Sequence, residues 1–202
     1  MPIHPFPESD LRTERLVLSR ANRSDAAELL AYYGDNRAHL GPWEPLRPDD
    51  FYTAAALEAR LDEMGKQMRD GKAIHFLMRR AESGALVGEC NFTNIVRGPF
   101  QACHMGFSLS AAAQGHGLMH EALSAAIRFV FDEYGLHRVM ANYRPENQRS
   151  AHVLRRLGFE IEGSARAYLK INGEWADHVL TSKINDAVSH DRVVNMSAEV
   201  PL

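Results

Sequence analysis

The stretch "QGHGLMHEAL", residues 114–123, sets two glycines around a histidine directly ahead of a helical pattern. Backbone N–H groups in the first turn of a helix have no intrahelical acceptors and sit at the positive end of the dipole. Gly115-His116-Gly117 could therefore cradle an anion such as a pyrophosphate. Two common nucleotide loops are missing: no Gly-Lys-Ser/Thr follows, and there is no third glycine with an acidic residue about 20 positions later. A glycine pair between strand and helix also makes an ordinary tight turn, and the loop alone leaves both uses open. His116 and His120 are four residues apart, as metal ligands on one helix face can be, but no third ligand and no His-Glu-x-x-His accompany them, so no metal site is expected. Cys90 and Cys103 each lie in a strand-like run and read as buried free thiols rather than a disulfide framework.

The elements that would position this loop follow from periodicity. "ERLVLSRA" (14–21) reads as a strand, and Ser24 and Asp25 precede the helical "AAELLAYY". "GPWEPLRPDD" (41–50) is a proline-rich loop, with Asp49 or Asp50 placed to cap a helix over 51–70. Three strand-like runs follow without a helix between them, "IHFLMRR", "ALVGECNFTNIV" and "CHMGFSLS", which predicts an antiparallel meander turning at "ESGA" (82–85). After the glycine loop, Met119, Ala122, Leu123, Ala126, Ile127 and Val130 form an apolar helical stripe ending before Gly135. "HRVMANYR" is a strand, Asn147 caps a short helix closed by Gly158, and Asn172-Gly173 marks a type I′ hairpin. The order is β-αα-βββ-α-β-α-ββ, an α/β class of the mixed α+β kind with one sheet. A single domain over 11–185 is expected, with terminal extensions 1–10 and 186–202.

Composition narrows the partners. With 23 Lys+Arg against 26 Asp+Glu, the net charge of -3 gives no global attraction to nucleic acid or to an anionic membrane. The opening "MPIHPFPESDLR" lacks a charged segment leading into an apolar one, and apolar runs are broken by residues such as Arg128. A soluble cytoplasmic protein, monomer or homodimer, is the expectation.

Taken together, "TERLVL", "GPWEP", "NFTNIVRG", "ACHMGFSL", "QGHGLMHEAL", "HRVMANYRPENQRSAHVLRRLGFEIEG" and "YLKINGEWADHVL" resemble the GNAT superfamily of acyl-CoA N-acyltransferases. Within it they are similar to the RimJ-type ribosomal-protein N-alpha-acetyltransferases, over roughly Leu11 to Ile184. The resemblance implies the GNAT fold with splayed central strands and acetyl-CoA (coenzyme A) as cofactor. It implies that Phe107, Ser108 and Leu109 contact pantetheine, and that Gln114, Gly115, His116, Gly117, Leu118 and Met119 take the pyrophosphate. Asn147 and Ser150 would then lie beside the arm and the thioester. Two places depart from the pattern. Ala112 stands where a Gln or Arg often opens the loop, and Leu154 stands where many members carry a tyrosine acid, which removes tyrosine catalysis there.

Acetyl transfer to an amine needs a neutral nucleophile and a stabilised thiolate. At pH 7 roughly a tenth of an α-amine is neutral, against well under about a thousandth of a lysine amine, so an N-terminal acceptor asks less of a base. Ser150, one turn before Leu154 on the same helical face, could donate to the departing sulfur; it could equally serve the first turn of its helix. For the base, Glu89, Glu44, the pair Asp177 and His178, and water all stay open, and a strand glutamate such as Glu89 could simply face solvent. Trp43 and Glu44 could bind the incoming α-ammonium, with Asp177 and His178 as further acceptor contacts. The expected function is acetylation of a protein N-terminal α-amine, on alanine or serine of a ribosomal protein. A small-amine acetyltransferase and a non-catalytic acyl-CoA-binding, ribosome-associated protein are the alternatives.

Overall fold

Alternation in the strands decides the two faces of the sheet. The computed structural model describes residues 10–186. Apart from Asp10 and Asp186, the expected terminal extensions lie outside the described residues. The first strand-like run folds as a pair, β1 (Leu11–Arg12) against β2 (Leu16–Arg20). A three-residue 3-10 turn capped by Asn22 then leads into α1 (Ala26–Asp35). Asn22 accepts from Ser24 N–H while the Asp25 carboxylate accepts from Asn22 N–H, so the capping box falls two to three residues earlier than Ser24 and Asp25 suggest. A four-residue α2 (Arg37–Leu40) and two 3-10 turns carry the proline-rich loop. Asp49 and Asp50 do not cap the next helix; they lie in a 3-10 turn, and Thr53 accepts from Ala56 N–H at the start of α3 (Ala54–Arg69).

The meander follows as β3 (Ile74–Arg80), β4 (Leu86–Val96) and β5 (Ala102–Leu109), all antiparallel. α4 (Leu118–Asp132) crosses over to β6 (Arg138–Tyr143), which runs parallel to β5. α5 (Gln148–Arg156) is bounded by Asn147, whose side chain accepts from Ser150 N–H, and by Gly158 at φ 81°. β7 (Glu160–Ile171) and β8 (Glu174–Ile184) close the chain around Asn172 and Gly173, both at positive φ as a type I′ turn requires. The eight strands lie in the order β1-β2-β3-β4-β5-β6-β8-β7.

One core forms where Leu16, Leu18, Phe76, Met78, Cys90, Phe92, Cys103 and Met105 meet the apolar stripe of α4 and the inner side of α5. All six stripe residues are buried, and each large one contributes roughly 1.5–3 kcal/mol relative to exposure. The second core, on the opposite face, joins α1 and α3 to Leu77 of β3.

Candidate active site

Strand β5 pairs with β6 only at Ala102–Arg138, Cys103–Val139 and His104–Met140. Both strands continue, β5 to Leu109 and β6 to Tyr143, so beyond His104 they separate. β5 keeps its β4 partners through Leu109, which leaves Phe107, Ser108 and Leu109 with an unpaired main-chain edge facing the gap. Such an edge hydrogen-bonds an extended amide chain as a neighbouring strand would. Gly88 keeps it in place: a Cβ there would fall 2.3 Å from the Ser108 carbonyl oxygen.

The chain leaves β5 through a 3-10 turn at Ala111–Ala113 and reaches the loop beside the same gap. Gly115 and Gly117 have φ of 81° and 74°, the left-handed region that other residues occupy at a cost. Gly117 is the N-cap of α4, and no side chain caps that helix, so its first N–H groups are left for an external acceptor. A Cβ at Gly115 meets nothing within 4 Å, so the loop there borders open space. Helix start, left-handed glycines and unpaired strand edge together fit a pyrophosphate followed by a pantetheine arm.

Sequence reading missed what holds this loop. Arg15 Nη1 donates to the His116 carbonyl at 2.9 Å, while its Nε donates to Glu121 of α4 at 2.7 Å. Thr13 and the Arg15 N–H also donate to Glu121. Burial raises the Glu121 carboxyl, but hydrogen bonds from Thr13 and Arg15 together outweigh it and hold the group below its usual range. The latch also brings a guanidinium beside the loop, 3.7 Å from a Cβ built on Gly117.

Glu89 does not face solvent. It is 5% exposed on the α1 side of β4, directly across from Ser108. Tyr33 of α1 donates to its Oε1 at 2.8 Å, and Arg60 of α3 stands 3.6 Å away and donates to the same tyrosine oxygen. The other carboxylate oxygen, Oε2, is buried without a partner among the described residues. Beside it, the Tyr32 hydroxyl and Ser108 Oγ share a 2.9 Å hydrogen bond, so Ser108 offers its side chain as well as its main chain. Burial, reinforced by the charge of Glu89, raises the Glu44 carboxyl despite Arg47 at 3.7 Å. Two carboxylates thus share one desolvated region.

The remaining sequence candidates fall in different places. Trp43 is 37% exposed with the Arg144 guanidinium 5.8 Å from its ring, and Arg144 also donates to the Pro42 carbonyl. The loop is tied to the last hairpin by Asn172 N–H donating to the Glu44 carbonyl at 2.8 Å. Asn147 and Ser150 start α5 just after β6; the Ser150 N–H is used by Asn147, while its half-buried hydroxyl makes no hydrogen bond among the described residues. Asp177 is exposed and accepts from the Ala167 N–H at 2.8 Å, which spends one carboxylate oxygen on the hairpin. His178 is buried, with Nδ1 3.0 Å from the Ala176 carbonyl and its ring 5.6 Å from that of Tyr168. Of the α5 arginines, Arg156 lines a cavity of ≈320 Å³ with His120, Arg128 and Lys183 on the α4 side.

The model of the acetyltransferase (GNAT) domain matches residues 15–160, a span that includes the latch, the gap and the loop. This chain belongs to the GNAT acetyltransferase family. It is 44% identical to the ribosomal protein uS5-alanine N-acetyltransferase of Escherichia coli, over 87% of this chain and 91% of that one. The crystal structure of the ribosomal-protein-S5-alanine acetyltransferase of Vibrio fischeri superposes with a TM-score of 0.84 at 40% identity, covering 89% of this chain and 98% of that one. Mycobacterium smegmatis RimJ, solved in complex with CoA-disulfide, gives 0.81 at 26% identity, covering 86% and 83%. As a GNAT member the chain is an N-acetyltransferase with the mixed-sheet fold of that family. Among the described residues no helix is long and apolar enough to cross a membrane.

Proposed function

We propose that this GNAT enzyme transfers the acetyl group of acetyl-CoA to the N-terminal α-amine of a ribosomal protein that begins with alanine or serine. The observation that carries the reading is the 44% identity to the uS5-alanine enzyme across 91% of its length. The site supports it in chemical detail. The N–H groups at Gly115–Met119 hold the diphosphate, with Arg15 adding positive charge. The unpaired edge at Phe107–Leu109 aligns the pantetheine amides. Acetyl-CoA, when bound, supplies the activated acyl group.

Glu89 serves as general base. Tyr33 and Arg60 fix one of its oxygens, and Oε2 takes the proton from the α-ammonium directly or through one water. Glu44, in the same desolvated region, attracts the ammonium, and Trp43 flanks it. Ser150 Oγ donates its hydrogen to the departing sulfur at the N-terminus of α5, where the helix dipole favours developing negative charge. An α-amine, roughly a tenth neutral at pH 7, asks less of a base than a lysine amine does. Ribosomal acceptors place the enzyme in the cytoplasm.

The test compares alanine-initiated peptides with free and blocked N-termini, alongside a polyamine, in a thiol-release assay. Turnover of the free peptide alone is expected. Equal turnover of free and blocked peptides, or a higher kcat/KM for the polyamine, would remove the α-amine reading.

A further inference from the structure

Beyond the gap, the α1 side of the sheet is left open. Val139 and Ala141 of β6 point into the core with α4 and α5, so alternation turns Met140 and Asn142 to the opposite face. On that face the core of α1 and α3 takes only Leu77 and Leu86 from the strands, and neither lies beyond β4. The face carrying Asn142 is therefore continuous with the one carrying Glu89, across the opening between β5 and β6.

One side chain reaches over this face from the edge of the sheet. β7 and β8 are in register at Ala165–His178 and again at Leu169–Ala176, so Arg166, Ala167 and Tyr168 stand opposite Asp177 alone. Ala167 sits at φ 48°, and its N–H is held by the Asp177 carboxylate at 2.8 Å. Bulges of this kind re-aim a side chain. Here the Tyr168 ring lies 5.6 Å from His178, and its hydroxyl accepts from Asn142 Nδ2 at 3.2 Å. Asn142 is two residues past the last β5–β6 pair, at the gap itself. Because the Tyr168 oxygen already accepts from Asn142, its own O–H is left to donate, and 36% of the residue remains exposed.

We infer that Tyr168 is a specificity-determining residue that donates a hydrogen bond to the first main-chain carbonyl of a polypeptide acceptor, and that Asp177 is the positioning residue that aims it. This rests on the α-amine reading above. It also gives that reading a physical basis, because a polyamine presents an ammonium without the adjoining carbonyl. No covalent step is assigned to Tyr168; it selects and orients.

Steady-state kinetics with an alanine-initiated peptide, a polyamine and acetyl-CoA tests the inference, with acetyl-CoA affinity measured by calorimetry. Tyr168→Phe should raise KM for the peptide about tenfold, with kcat changed less than about threefold and acetyl-CoA affinity unchanged. Asp177→Ala should act in the same direction, while Asp177→Asn, whose amide oxygen can still accept from Ala167, should restore most of the wild-type KM. A purely structural role would instead move acetyl-CoA affinity, kcat and thermal stability together in all three variants. An unchanged peptide KM in Tyr168→Phe, with wild-type enzyme active on the peptide, overturns the role of Tyr168 and leaves the α-amine reading standing. A wild-type enzyme that prefers the polyamine overturns both.

Discussion

Strands β3 and β4 are clad on both faces, by α1 and α3 on one side and α4 on the other, whereas β6 packs one face into the core under α4 and α5, and β7 and β8 give no residue to either core. Within the sheet the two halves are joined by the three residue pairs between β5 and β6. The first half is tied across long sequence distances by charge: Arg15 to Glu121, Arg60 to Tyr33 and Glu89. The second half is a long hairpin whose β7 side chains are mostly exposed. The difference suggests a division of labour. On the proposed reading, the cofactor loop and the base fall in the fully packed half, where a buried carboxylate can be held in one orientation, and Tyr168 falls in the half left uncovered, so the acceptor is met from both.

Substitutions at Glu89, Ser150 and Gly88 should cost chemistry or stability rather than acceptor affinity, whereas one at Glu44 should affect the acceptor as well. The largest effect is expected at the base: Glu89→Gln should lower kcat by about 10²–10⁴-fold, with acetyl-CoA affinity within twofold of wild type by calorimetry. Full activity in that variant would remove Glu89 from the mechanism. Ser150→Ala should lower kcat by about tenfold and affect acetyl-CoA affinity less, since a single hydrogen bond to the sulfur is lost. A larger change in affinity than in kcat would make Ser150 a contact of the pantetheine arm rather than the donor to the sulfur.

Gly88→Ala sets a methyl group against the Ser108 carbonyl, a backbone atom that cannot swing away, and should cost about 1–3 kcal/mol in denaturant unfolding while weakening cofactor binding. Wild-type stability there would mean that β4 and β5 separate more easily than their register implies. The smallest effect is a pH dependence. Glu44 has a raised folded-state pKa, so its desolvated charge penalises the fold at neutral pH, and the penalty disappears as pH falls through that raised value. Glu44→Gln should therefore be at least as stable as wild type at pH 7, with the gap closing under acid, while KM for the peptide rises. A variant less stable at pH 7 would show that the pairing with Arg47 outweighs burial.

Legibility in the sequence followed the range of the interactions. Asn172-Gly173, the Asn147 cap and the Gly158 stop of α5, and the α4 stripe are decided by neighbours a few residues away, and each stands where the pattern put it. The pattern points to Asp49 or Asp50 as the cap where the helix starts at Thr53, because the residues between form a 3-10 turn, an equally local alternative. The burial of Glu89 depends on Tyr33 and Arg60, and the loop latch on Arg15, partners 29 to 106 residues distant that a strand pattern does not encode. Asp177 reads in the sequence as a candidate base or acceptor contact, yet its visible task is to hold the bulge at Ala167. The bulge that places Tyr168 leaves no mark in the alternation of β7, whose residues are nearly all exposed.

Calorimetric titration with coenzyme A is the most direct measurement of the central claim, that the uncapped start of α4 and the opened edge of β5 form one cofactor site. Wild-type protein should bind one equivalent. Gly117→Val, which forces a β-branched residue into the left-handed region at the start of α4, should lose at least about tenfold in affinity with its far-UV circular dichroism unchanged. Folded wild-type protein that takes up no coenzyme A, or a Gly117→Val variant that binds it as tightly as wild type, would contradict the account.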